Sequence, residues 1–295
     1  MSKNKQAILL IVISVFFGTL MLTFLKLAQE EVNVYVAGFF RFLFGFLIIL
    51  PYILKSKLTV FKTNHLKKHF FRAVLNLPSM LLYFSALVML PIEKVTAISF
   101  VVPFFVTILA VLFLGEKIYI YRTLALVLGF IGMIVILRPG IINISIGVYM
   151  ALASSLMWSV VIIITKSIAK DDSSITILSY GYVIMTILSF IIVLFNWQTP
   201  SLQTLTYLFF AGLSGTLLHL CINHAYKLVD VSMTQPYSFL SLVFASLVGY
   251  FVFSETPDLF TWIGASIIFL GVFIMSYREM KLDKEIIRKR IDIKS

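Results

Sequence analysis

Charged residues are few in this chain: 13% of its 295 residues, against 60% that are hydrophobic. So little charge excludes a soluble globule, because the apolar side chains outnumber what a folded interior of this size encloses. Cysteine is almost missing. Cys221 stands alone inside an apolar run, so no intrachain disulfide can form and no metal site is suggested. The four histidines never cluster with cysteine or carboxylate at ligand spacing. The sequence has no HExxH, no GxSxG and no phosphate loop of the GxxxxGK type. Acids inside apolar runs are lacking too: Glu116 and Glu255 are the only glutamates beside span interiors, and each sits at a helix end. Covalent catalysis has no visible machinery, so an enzyme is not expected and no cofactor is implied.

What is present is long apolar sequence. Runs of about 18 or more apolar residues are long enough to cross a bilayer as helices. Ten occur, at roughly 7–25, 34–54, 70–89, 95–114, 120–137, 147–166, 174–195, 204–225, 232–252 and 260–277. Barrel strands would alternate in polarity and be about half as long. The expectation is an all-α polytopic membrane protein with ten transmembrane helices and little room for a soluble domain. The first run follows Lys3 and Lys5, as a signal peptide would. It is too long and lacks a small-residue cleavage pattern, so it reads as a retained helix.

The net charge of +11 speaks against nucleic acid by its placement. With the N-terminus in the cytoplasm, 20 of the 24 Lys and Arg fall on the inner side, including the basic loop from Lys55 to Arg72 and the ends at Lys166 and Lys170. Only Lys26, Lys94 and Arg138 fall outside, and Arg41 lies within a span. That bias places both termini in the cytoplasm. The tail run Arg288-Lys289-Arg290 suits an anchor on anionic lipid.

Two stretches echo each other at one fixed offset: Ala86, Phe100, Glu116 and Gly132 recur as Ala225, Phe239, Glu255 and Gly271. Ten spans divide into five plus five. Because five is odd, the second unit enters the membrane from the opposite side, which makes an inverted repeat of two five-helix units. The boundary falls at Arg138-Pro139-Gly140, giving units 1–140 and 141–280 and a basic tail 281–295. Gly129, Gly132, Gly264 and Gly271 lie in the last helix of each unit, where small residues let helices approach closely.

A charge within hydrocarbon costs roughly 2.5–3.5 kcal/mol on insertion scales and is a functional candidate by default. Arg41 lies about seven residues into the second span. Either it clamps a carboxylate or phosphate through paired hydrogen bonds, or it binds carbonyls and a helix end. His219 and Asn223 are four apart and share a helix face; they bind a polar substrate group, carry a proton or bond between helices. His65 and His69 sit on the basic loop and are read as inert. The segment Thr234-Gln235-Pro236-Tyr237-Ser238 opens the ninth span, where proline frees backbone carbonyls. Pro103 stands in the matching helix of the first unit, though it aligns with Leu242, and Pro78 adds a third break beside Asn76 and Tyr83. Interrupted helices in corresponding places point to the site of an inverted-repeat carrier. Trp158 and Tyr180 offer flat or cation-binding faces, or fill the bundle. Glu116 and Glu255 read as caps of helix junctions.

These features together resemble the drug/metabolite transporter superfamily, in its EamA branch of ten-helix carriers. In the first unit the resemblance rests on Phe40-Arg41-Phe42, Arg72, Ala86-Leu87 with Pro91, Phe100 with Pro103, Leu114-Gly115-Glu116, Gly129 with Gly132, and Arg138-Pro139-Gly140. In the second it rests on Pro236-Tyr237, Ser254-Glu255, Pro257-Asp258 and Gly271. It implies a secondary transporter of a small organic metabolite in the bacterial inner membrane, working by alternating access without ATP. Within that branch the chain is similar to alphaproteobacterial carriers, which implies S-adenosylmethionine as the substrate, with riboflavin or an amino acid as alternatives. The expected binding residues are Arg41, Tyr83, Trp158, Tyr180, His219, Asn223, Gln235 and Tyr237. A channel or a scaffold for partners is the reading of another class: a channel shows conductance, a carrier saturation and counterflow, a scaffold neither.

Overall fold

In the computed structural model every regular element is helical among the described residues, which are 3–90, 92–99, 101–116, 120–137, 145–253 and, between 259 and 278, all but 261, 265, 272, 275 and 276. The helices are α1 (Lys3–Ala28), α2 (Val34–Lys55), α3 (Leu66–Met89), α4 (Ile92–Ile98), α5 (Val101–Leu114) and α6 (Ile120–Leu137) in the first half. In the second they are α7 (Ile146–Ala169), α8 (Ser174–Val193), α9 (Leu202–Leu228), α10 (Val231–Thr234) and α11 (Leu240–Phe253), with a 3-10 turn at Gln235–Phe239. Seven stretches are long and apolar enough to cross a membrane, the continuous run Val231–Phe253 among them. Shorter apolar helices at Val101–Leu114, Thr123–Gly132 and Trp262–Gly271 fall on the other three expected spans. The chain is a multi-pass membrane protein, and its outer surface fits that: Phe113 and Phe251 are 72% and 78% exposed, an arrangement that lipid tolerates and water does not.

Polar residues start the helices. Asn33 caps α2 by accepting from the N–H groups of Tyr35 and Val36, both at 3.0 Å, while Ser173 and Ser201 cap α8 and α9. α1 packs along α9 and α3 along α7; α2 lies against α8 and α9, and α3 also meets α8. The α3–α7 crossing is tight because Ser79 and Ser154 each donate to the other's carbonyl, at 3.0 and 2.7 Å.

Two clasps close the bundle ends. At one, Glu31 accepts from Ser201 N–H at 2.8 Å and from the hydroxyls of Ser201 and Thr204, and Asn33 donates to the Asn196 carbonyl. At the other, Asp172 accepts from Thr63 at 2.6 Å and pairs with His69 at 2.8 Å, beside a His65–Asp171 pair.

Two expected spans are not single helices. The fourth breaks between Ile98 and Val101, so Pro103 stands in the first turn of α5, where a missing N–H costs no helical bond. The ninth breaks at the 3-10 turn, which begins with Gln235 and Pro236. Pro78 and Pro51, by contrast, lie inside continuous helices. Glu255, the boundary Arg138-Pro139-Gly140 and the tail 281–295 lie outside the described residues.

Candidate functional site

The helices enclose a cavity of about 340 Å³, within the range of small-molecule pockets. Its walls come from α1, α2, α3, α7, α9 and both interrupted stretches.

Arg41 is its most costly group. The side chain is 5% exposed and meets no carboxylate among the described residues. Its Nε donates to Met21 Sδ at 3.1 Å, and its Nη2 lies 3.3 Å from His219 Nε2. A guanidinium only donates, so Nε2 accepts and the His219 proton belongs on Nδ1. The guanidinium also stands 4.4 Å from the centre of the Phe42 ring, a cation–π contact that lowers the cost of burial. His219 in turn tilts against Trp158, with ring centres 6.2 Å apart. Asn223 follows one turn along α9, buried, and lines the same space.

Both interruptions contribute polar residues: Thr96 and Ser99 from the first, Thr234, Gln235, Ser238 and Ser241 from the second. The second is held from outside. Gly115 leaves α5 at a positive φ of 67°, a conformation glycine adopts without strain. This turns Glu116 towards α10, where its carboxylate accepts from the N–H groups of Val231 and Ser232 at 2.9 and 3.0 Å. Lys166 donates to the carbonyls of Tyr226 and Val229 at the end of α9. Gln235 Nε2 then bonds the Val231 carbonyl and the Thr234 hydroxyl, which fixes its amide at the cavity wall.

Six of the eight expected residues line the cavity: Arg41, Tyr83, Trp158, His219, Asn223 and Gln235. Two do not. Tyr180 faces the loop before α3: its hydroxyl donates to the Phe61 carbonyl at 2.7 Å and its ring stacks on His69 at 4.5 Å. Tyr237 is fully buried in an apolar cluster with Ala7, Ile11, Met233 and Leu240, on α1 and beside the 3-10 turn. His69 is not an inert loop residue either, being wholly buried in its pair with Asp172.

The sequence reading missed Arg72, which it counted with the basic loop. It stands nearly two turns into α3 and lines the cavity with Asn76, Ser79 and Tyr83. The signal was available: residues 72, 76, 79 and 83 follow helical spacing and form one polar stripe. Ser155, Trp158 and Thr165 make a similar stripe on α7.

The sequence matches the model of the EamA-like transporter family twice, over residues 5–138 and 145–277. It is similar to the S-adenosylmethionine uptake transporters of Rickettsia felis and Rickettsia conorii, at 32% and 33% identity over 87% of this chain and 87% of each relative. It is less similar to the riboflavin transporter of Rhizobium johnstonii, at 28% over 84% of this chain and 83% of that one. One solved crystal structure, 16% identical, superposes with a TM-score of 0.79 over 94% of this chain and 99% of its own, a likeness of fold. Two family matches that together span nearly the whole sequence settle its membership: the chain belongs to the EamA-like transporter family.

Proposed function

We propose that this protein is a secondary transporter that takes S-adenosylmethionine up across a bacterial inner membrane. The observation that carries this reading is the cavity, where a buried arginine without a carboxylate partner among the described residues shares a wall with aromatic rings and the fixed amide of Gln235. S-adenosylmethionine has a carboxylate for Arg41, a flat adenine for Trp158 or Tyr83, and a sulfonium cation that an aromatic face attracts. His219, Asn223 and Gln235 supply hydrogen bonds. The names of the Rickettsia relatives support the same substrate. Riboflavin is the second reading, favoured by the Rhizobium relative; it has rings to stack but no carboxylate for Arg41.

The transport cycle follows from an inverted repeat of ten spans, units 1–140 and 141–280, one rocking against the other around the cavity. Support comes from the element boundaries: α5, Val101–Leu114, and α11, Leu240–Phe253, correspond at both ends by the same offset that relates Ala86 to Ala225. The contacts pair in the same way. α1 on α9 answers α7 on α3, α2 on α9 answers α8 on α3, and α5 on α7 answers α11 on α1. Both termini face the cytoplasm on the charge bias of the loops, and the tail 281–295 rests on anionic lipid.

The test is ligand-induced thermal stabilisation of the purified protein with S-adenosylmethionine, riboflavin and amino acids, followed by counterflow in proteoliposomes. A ligand raises stability by an amount set by its concentration over Kd. Saturable stabilisation and counterflow with S-adenosylmethionine are expected. A response to riboflavin alone would transfer the proposal to that substrate, and binding without counterflow would end the carrier reading.

A further inference from the structure

Arg72 reaches the cavity from the α3–α8 seam, and its seat resembles that of Arg41. Each guanidinium lies against a glycine of the neighbouring helix: a Cβ on Gly181 would stand 2.8 Å from Arg72 Nη2, and one on Gly215 would stand 3.1 Å from Arg41 Nη2. Arg72 Nη2 donates to the Ile177 carbonyl at 2.8 Å, while its Nε is buried with no hydrogen-bond partner among the described residues. A guanidinium carries five N–H donors and keeps its charge throughout the accessible pH range. Its partial burial without a counter-charge among the described residues is expensive. Among the described lining residues there are two arginines and no aspartate or glutamate. The protein supplies two fixed positive charges to this space and leaves the negative ones to a ligand.

S-adenosylmethionine brings one carboxylate with two cationic centres, so it answers one arginine and not both. We propose that the cavity also takes a small organic dianion, a dicarboxylate or a phosphorylated acid, held by Arg41 and Arg72 together. This rests on the reading of the cavity as the transport site. A dianion neutralises both charges at once.

The experiment uses the purified full chain at constant ionic strength. Thermal stabilisation is titrated with succinate, glutarate, adipate and inorganic phosphate, each with and without S-adenosylmethionine, and with acetate as the monoanionic control. Saturable stabilisation by at least one dianion, competed by S-adenosylmethionine, is expected. Arg72→Gln should weaken that binding by about tenfold or more, and Arg72→Lys less. If S-adenosylmethionine stabilises and no dianion exceeds acetate, this proposal falls and the proposed function stands. If neither stabilises, both fall. Dianion binding undiminished in Arg72→Gln removes Arg72 from the site and overturns the proposal. Should that variant fail to fold, Gly181→Ala serves, because it displaces only the flexible end of Arg72 and keeps the charge; an unchanged dianion affinity there overturns the proposal equally.

Discussion

Arg41 on α2 and Tyr180 on α8 are separated by the offset that relates Ala86 to Ala225, and the boundaries of the two helices recur at nearly that offset. Arg41 turns into the cavity and meets Met21 and His219. Tyr180 turns to the bundle end, stacks on His69 and bonds the Phe61 carbonyl. Matching positions on matching helices thus need not face the same surroundings. On the proposed function, ligand chemistry at this position is drawn from the first half, and end-closing chemistry from the second. The comparison breaks or holds on a pair of variants. Arg41→Ala should weaken S-adenosylmethionine binding by about 2–5 kcal/mol, the usual loss when one partner of a buried charged pair is truncated. Tyr180→Phe should leave Kd within about twofold and cost only about 0.5–1.5 kcal/mol of stability, for one lost hydrogen bond. Titrated thermal stabilisation reads both; an equal loss of affinity in the two variants would return Tyr180 to the site.

The two interruptions sharpen the same contrast at smaller scale. Ser99 and Ser238 are equivalent, and each hydroxyl bonds back to its own chain, at Val95 O (2.8 Å) and Gln235 O (2.6 Å). Among the described residues, the second interruption is gripped by Glu116, which satisfies two N–H groups at the start of α10. Glu116→Ala leaves both donors unpaired and should lower stability by about 1–3 kcal/mol. Ser99→Ala removes one local bond and should cost no more than about 1 kcal/mol. Thermal unfolding in detergent measures the two. If Ser99→Ala proved as damaging as Glu116→Ala, the first interruption would be as dependent on a single contact as the second.

Most of the fold was legible because a bilayer leaves the backbone few choices: a long apolar run must become a helix. An internal echo was legible from four residue pairs, and α5 and α11, of 14 residues each, stand at the same offset. The breaks themselves were harder. Proline pointed to both stretches, but Pro103 sits in the first turn after its break rather than at it. In the site, Arg41 and His219 were legible because polar groups deep in an apolar run have no cheap alternative. Arg72 was not, since an arginine near the start of a run looks like the end of a basic loop. Tyr180 was misplaced for another reason: helical spacing gives a face, and only the packing of α8 beside α3 decides what that face meets.

The clasps at the bundle ends carry the comparison to its weakest effect. Asn33 and Asp172 are likewise separated by that offset, one beside the Glu31 clasp and one within the histidine clasp. The first is built from a carboxylate and hydroxyls, and it lies outside the spans, so its charge can be read in solution. Hydrogen bonds from the Ser201 hydroxyl, the Thr204 hydroxyl and the Ser201 N–H hold the Glu31 carboxyl below its ordinary pKa. A carboxyl whose folded pKa is depressed adds stability that is present above the unfolded value, about 4.3 for glutamate, and is lost as pH falls through the lower folded one. Glu31→Gln cannot titrate and keeps one acceptor. The difference in Tm between wild type and this variant should therefore be largest near neutrality and shrink to nothing on acidification through the carboxylate range, about pH 5 to 2. The group is exposed, so solvent screens it and the whole effect stays small. A difference that persisted undiminished at acid pH would mean that shape, not charge, closes this end, and that the two clasps differ less than their chemistry suggests.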